Sequence, residues 1–294
     1  MVERFTLSRK LFIGFNYVFL TLLSILCLLP LIHVLAVSFS SSAAAAAGYV
    51  KLWPVDFTLE SYKYVLGKDE FFQSIFMTLK RVSVGLVVNM FLTILVAYPL
   101  SKEVQKFRGR TIYAWVFVFT MLFNGGLIPV YMIVRYTGIL DSVWALVLPQ
   151  AVPIFNMILL LNFFRGLPKE IEEAAFMDGA GHWTTLWKIV VPLSMPAIAT
   201  VTLFTMVFHW NSWFDGLIFM NSPKNYPLQS YLQTIVIQQN FSSASLESIA
   251  ELQKISDRTF KSAQIFLGSL PILLVYPFLQ KFFMKGIVLG SVKG

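Results

Sequence analysis

Charge is scarce in this chain of 294 residues: Asp, Glu, Lys and Arg together make up 13% of it. A soluble domain carries about a quarter. Hydrophobic residues reach 57%, and the mean hydropathy is +0.70. That deficit excludes an ordinary soluble fold and points to an integral membrane protein. Cysteine is nearly absent. The single Cys27 lies inside an apolar run, so no internal disulfide framework exists, and it reads as a small packed hydrophobe. No G-x-x-x-x-G-K occurs, so the chain has no phosphate-cradling loop. His33, His182 and His209 are scattered without H-E-x-x-H spacing, which leaves no metal centre. No G-x-S-x-G nucleophile elbow is present either. No repeat of 20–50 residues is evident, which argues against the paired halves of many ion-coupled transporters. The formal charge of +8 reads, in so apolar a chain, as basic membrane-flanking loops and not as a nucleic-acid surface.

What is present is a series of long apolar segments. Six spans are expected, at about 11–37, 82–100, 112–134, 143–164, 197–220 and 263–283. The first follows a short basic stretch with Arg4, Arg9 and Lys10. It is too long for a signal-peptide core, although the small residues from Ser40 to Ala47 resemble a cleavage site. Pro30 is expected to kink it. The third span is interrupted by Asn124-Gly125-Gly126 and Pro129, a break tolerated only where protein or water covers the backbone. Inner segments carry 13 Lys and Arg residues against 10 on the outer ones, the densest inner cluster being Lys102, Lys106, Arg108 and Arg110. The bias places both termini inside. Residues 1–10 are then a cytoplasmic N-terminus, and 11–294 a single all-α polytopic permease domain. Lys80 and Arg81 stand at the outer end of the second span. They either snorkel to the headgroups or face a water-filled entrance, and snorkelling is the commoner fate.

Between spans 4 and 5 lies a polar island, residues 165–196. Pro168 suits the start of a helix, and Glu170, Glu172 and Glu173 follow where negative charge is favoured. Ile171, Ala174 and Ala175 share one shallow face. Asp178-Gly179 ends the helix, with glycine expected at a left-handed C′ position. A second helical stretch from about Trp183 to Val191 leads to Pro192. By local signals alone this is a surface connector.

The spacing says more. Glu173-Ala174-Ala175, three residues, Gly179, nine residues, Ile189, two residues and Pro192 resembles the EAA loop of type I binding-protein-dependent ABC importers. Val191 stands where that consensus usually has Leu. Phe123-Asn124-Gly125-Gly126-Leu127-Ile128-Pro129, Trp210-Asn211 with Trp213-Phe214, Tyr226-Pro227-Leu228-Gln229, Lys285-Gly286 and Val292-Lys293-Gly294 resemble a maltose-type subgroup that imports oligo- and polysaccharides. Lipo-oligosaccharide permeases and the second membrane subunit of alginate importers are similar. The resemblance implies a multi-pass permease of the bacterial cytoplasmic (inner) membrane, with a cytoplasmic coupling helix between spans 4 and 5. It implies a second homologous permease subunit, an external solute-binding protein, a saccharide substrate and membrane lipid around it. ATP and Mg belong to two separate ATP-binding subunits, so this chain binds no cofactor and is not an enzyme. It further implies that Glu170, Glu173, Ala174, Ala175, Asp178, Gly179 and Ala180 meet an ATP-binding subunit, and that Lys285, Gly286 and Lys293 reach those subunits from the tail.

Polar residues inside the spans are candidates for a translocation path: Asn89, Asn156, His209, Trp210, Asn211, Trp213 and Asp215. A Trp ring offers a flat face to a sugar while its N–H donates a hydrogen bond. Bridging between helices and an interfacial aromatic belt are the structural alternatives. Lys80, Arg81 and Arg135 are candidates for drawing in an acidic saccharide such as alginate by long-range attraction. An ion-coupled secondary transporter and a membrane-bound enzyme are the rival functions.

Overall fold

The computed structural model describes residues 7–237 and 257–291, and every regular element among them is helical. The chain divides into two compact units, 1–69 with 234–270 and 70–233 with 271–294.

In the first unit, α1 (Leu7–Ser38) runs through Pro30 as one helix, and its most apolar window buries nothing within this chain. Its C-terminal end packs. Ala36 and Val37 meet Ala44, Ala45 and Val50, where α2 (Ser42–Ala46) follows, capped by Ser41 Oγ accepting from the Ala44 N–H at 3.3 Å. The small residues that resemble a cleavage site therefore pack against α1. The loop beyond them, which carries no sequence motif, is held by aromatics. Phe39 stacks on Phe57 and Tyr62, and the Tyr62 hydroxyl lies 2.7 Å from Ser38 Oγ. From α3 (Glu60–Leu66), Tyr64 meets the edge of Phe260, and Lys68 sits 4.6 Å from the Tyr64 ring centre.

The second unit begins within α4 (Asp69–Ser101). Its 33 residues span roughly 50 Å, longer than the expected 82–100 segment. Next come α5 (Arg110–Leu122) and α6 (Leu127–Tyr136), which meet at 112°. The chain doubles back there instead of crossing straight. Gly126 has φ +92°, and Asn124 Oδ1 accepts the Gly126 N–H at 3.0 Å, so the Asn-Gly-Gly run closes a tight turn. Then follow α7 (Val143–Val147), prolonged by a 3₁₀ turn to Gln150, and α8 (Ile154–Arg165), meeting at 51° across Pro149 and Pro153. The polar island forms α9 (Lys169–Met177) and α10 (His182–Thr185), then a π turn at Leu186–Val190 and the single turn α11 (Val191–Leu193). Pro192 has no N–H to continue the α ladder, which suits the widened turn before it. After an 82° bend, α12 (Met195–Asn211) and α13 (Phe214–Phe219) make up the fifth apolar segment, broken at Ser212 and Trp213. α14 (Leu228–Ile237) and α15 (Asp257–Ser291) complete the described chain.

Among the described residues, two helices, α1 and α4, are each long and apolar enough to cross a membrane, and three bent pairs meet the same test together. Around α4, Ile94, Ala97, Tyr98 and Leu100 interlock with Met157, Leu160, Leu161 and Phe164 of α8 and with Leu186 and Val190. Lipid tails are as apolar as these side chains. Close packing, not expulsion of water, is what joins the helices where they lie in a bilayer.

Candidate coupling surface and translocation elements

Residues of α9 divide sharply by face. Ala175 is buried and Phe176 half-buried against His182, their rings 5.0 Å apart edge to face. Glu170, Ile171, Glu173, Ala174, Met177 and Asp178 are exposed, Met177 at 88%. Ile171 and Ala174 thus look outward, away from the Ala175 with which the helical spacing grouped them. The helix closes as a Schellman motif. Ala180 N–H donates to Ala175 O at 2.9 Å and Gly179 N–H to Phe176 O at 3.0 Å, with Gly179 at φ +82°.

Carboxylates and lysines brace this helix to the 101–110 loop. Glu172 accepts from Lys102, Glu103 accepts from Lys169, and Glu173 lies 3.8 Å from Lys106. Arg110 donates to Lys102 O at 2.7 Å, and Arg165 to Leu100 O at 3.2 Å. The Lys102 ammonium also sits 3.8 Å from the Tyr98 ring centre, and its burial pushes its pKa down against the pull of Glu172. The Lys169 ammonium holds the Glu103 carboxyl below its ordinary range, and Glu103 holds Lys169 above its own. From sequence this loop signalled topology alone. Its second role is visible only once α9 lies beside it.

A second polar group is buried. Arg81, fully enclosed, forms an ion pair with Asp215, donates to Ser212 O at 3.2 Å and approaches His209 Nδ1 at 3.5 Å. It neither snorkels nor faces an entrance, because the break between α12 and α13 needs it. Ser212 O has lost its helical partner, whereas Trp213 O keeps the Leu217 N–H at 3.3 Å. Arg81 supplies a donor to the first, and Ser230 Oγ donates to the second at 2.7 Å. Lys80, its neighbour, is exposed. Asn89 lies 3.2 Å from His209 Nε2, and Asn156 donates to Thr205 Oγ1 at 3.2 Å. With Arg81 donating to Nδ1, neutral His209 carries its proton on Nε2. Asn89 Oδ1, otherwise without a partner, is then the natural acceptor once the amide is turned. Gly85 lets the helices approach, since a Cβ there would overlap the His209 ring, and a Cβ on Gly216 would overlap the Ser230 hydroxyl.

Ser74, Thr78, Arg81, Gly85 and Asn89 are all buried and lie three or four residues apart on one face of α4. That stripe of small and polar residues was readable in the sequence as an inward face. Thr78 Oγ1 also receives the Leu228 N–H at 2.7 Å. A further junction is made by Asp141 at φ +58°. It accepts from Asn225 Nδ2 at 3.0 Å and from the Asn221 and Ser222 N–H groups, and the Asn225 bond leads in holding its carboxyl below the usual range.

Of the path candidates, Asn89, Asn156, His209 and Trp210 are buried, while Asn211, Trp213 and part of Asp215 remain accessible. Asp215 also borders a recess of about 280 Å³ with Asn124, Gln150, Phe208 and Phe214. Lys285 and Gly286 fall within α15, while Lys293 and residues 238–256 of the expected outer segment lie outside the described residues.

Comparison with known proteins places this arrangement. Residues 10–288 match the family model described as binding-protein-dependent transport system inner membrane component. The polygalacturonan/rhamnogalacturonan transport system permease protein YtcP of Bacillus subtilis is 39% identical over 98% of this chain and 100% of its own length. Protein LplC of the same organism is 39% identical over 98% of this chain and 97% of its own. A chain in the crystal structure of a bacterial ABC transporter that imports the acidic polysaccharide alginate superposes with a TM-score of 0.87. It is 33% identical, and the match covers 96% of this chain and 100% of that one. The chain therefore belongs to the binding-protein-dependent transport system inner membrane components, as a non-enzymatic permease subunit of a type I ABC importer.

Proposed function

We propose that this chain is one half of a heterodimeric pore for the ATP-driven uptake of an acidic oligo- or polysaccharide. In this reading it crosses the membrane six times with both ends in the cytoplasm. A second permease subunit completes the pore, a solute-binding protein delivers the sugar outside, and two ATP-binding subunits carry ATP and Mg. The relatives that transport polygalacturonan and alginate support the substrate class.

The observation that carries the mechanism is the build of α9. A nine-residue helix presents Ile171, Ala174 and Met177 outward, is sealed by Gly179, and is clipped by three carboxylate–lysine contacts to the loop after α4. A helix held at several points moves with the body to which it is tied. Closure of the ATP-binding subunits against its outer face would push α9, the 101–110 loop and the attached helices together. ATP can bias the inward–outward equilibrium only through contacts that differ between the two states, and this face is where such contacts are made.

Replacing Gly179 by Val tests it. A β-branched residue at φ +82° costs about 1–2 kcal/mol locally, and no side chain lies close enough to obstruct it. The subunits are expected to assemble, while sugar uptake per ATP hydrolysed falls in proteoliposomes. Full coupling in that variant contradicts the lever.

A further inference from the structure

The recess between the α5–α6 turn and α13 gathers Asn124 and Phe214, each from a different sequence motif, with the path candidate Asp215. Phe208 and Phe214 line it and are 38% and 48% exposed. Asn124, Gln150 and Asp215 bring amide and carboxylate groups to the same cavity of about 280 Å³. That volume lies near the lower end for small-ligand pockets, enough for a short part of a longer chain.

The backbone beside it is unusual for a membrane segment. Phe123 to Gly126 leave the helical ladder within an otherwise apolar stretch and are exposed in this chain. Such backbone persists at depth only against protein or water. Asn124 Oδ1 already serves the Gly126 N–H, which leaves its amide N–H groups for a ligand. Asp215 is committed on one side. Its Oδ1 accepts from Arg81 Nη1 at 3.0 Å and from Gly216 N–H at 2.9 Å, and its Oδ2 from Arg81 Nη2. A carboxylate has about four acceptor positions, so one remains for a hydroxyl donor.

Charge decides what fits. Arg81 neutralises Asp215 but is itself wholly buried, so its guanidinium cannot reach a ligand. No Lys or Arg lines the recess among the described residues. A sugar carboxylate would find no cation here. Hydroxyls would find an amide pair and a carboxylate oxygen, with aromatic rings for the C–H side of the pyranose.

We infer that this recess is a charge-neutral saccharide subsite, which holds a sugar residue by its hydroxyls and ring face and leaves its carboxylate unread. The inference rests on the saccharide reading above. It adds that discrimination for acidic sugars, where the importer shows it, resides outside this recess.

Photo-crosslinking in the assembled importer tests it. Benzoylphenylalanine is placed at Gln150 or Phe214, with Phe76 on the exposed face of α4 as the control. The probes are radiolabelled trigalacturonate and its methyl ester, and the uptake rate of Phe214→Ala is measured alongside. Sugar adducts at 150 and 214 but not at 76, with both probes labelling alike, support the subsite. Uptake is then expected to fall by roughly three- to tenfold in Phe214→Ala for both sugars. Adducts to the partner permease, with or without sugar, would make the recess a subunit contact and overturn the proposal. Labelling by the acid alone overturns its neutrality. Normal uptake in Phe214→Ala with no sugar adduct overturns the subsite while the importer reading stands. Failure of the unaltered importer to take up either sugar removes the saccharide reading itself.

Discussion

Among the described residues, ion pairs tie separate segments together in two places, and the surroundings of those pairs differ. Beside α9, Lys106–Glu173 and Lys169–Glu103 lie at an accessible surface, with Lys102–Glu172 more enclosed. Beside the α12–α13 break, the arginine of Arg81–Asp215 is fully buried and the aspartate is partly exposed. Exposed pairs gain little, because water and salt screen them. A buried pair is different: its net value is modest, but either partner left alone is an uncompensated charge. The first group therefore suits a joint that must register a neighbour's movement, and the second a joint that must not open.

The sharpest way to break this contrast is Asp215→Ala. It strands Arg81 and is expected to cost about 3–5 kcal/mol, seen as a large drop in melting temperature of the purified complex. The paired change Arg81→Met with Asp215→Leu should recover part of that loss. If the single change is neutral, the buried joint is not structural. Next is Gly85→Ala. The added Cβ meets the His209 ring, for a loss of about 1–3 kcal/mol. The change is expected to loosen the Asn89–His209 contact, followed as faster amide exchange in α12.

On the accessible side, Glu173→Ala is expected to cost no more than about 1 kcal/mol in melting experiments, yet to reduce transport per ATP hydrolysed. A large melting shift with intact coupling would reverse the assignment of roles. The smallest effect belongs to Glu103 and Lys169. The folded pKa of Glu103 lies below its ordinary value of 4.5, so its contribution is present above that pH and lost as the pH falls through the lowered value. Lys169 is raised above 10.5, so its share is complete below that pH and lost only above it. Between those limits the melting difference between wild type and Lys169→Ala should stay flat. A step near neutral pH would show that another group controls the brace.

The two joints also differed in how far the sequence revealed them. Glu173-Ala174-Ala175 with Gly179 identified α9 because its spacing is local: one turn of helix and its stop signal lie within a dozen residues. The left-handed Gly179 follows from the same local rule. Arg81 gave the opposite impression. Its position at the end of an apolar run suggested snorkelling, whereas its partner lies 134 residues away. No short-range pattern encodes that pairing, although the polar stripe Ser74–Thr78–Arg81–Gly85–Asn89 marked the inward face of α4. The doubling back at Asn124-Gly125-Gly126 was legible as a break but not as a reversal. Turn residues fix where a chain bends, while the angle of 112° depends on what it then packs against. The loop 38–80 carried no motif, and the order of its first part comes from contacts such as Phe39–Tyr62 and Ser38–Tyr62, which no local spacing specifies.

The central claim is that the outer face of α9 meets the ATP-binding subunit in the cytoplasm. Met177, 88% exposed at the end of that helix, reports on it directly. With Cys27 replaced by Ser, Met177→Cys should form a nucleotide-dependent cross-link to the ATP-binding subunit. It should also resist a membrane-impermeant thiol reagent added to intact cells. Labelling from outside, or a cysteine that never reaches the ATP-binding subunit in any nucleotide state, would contradict it.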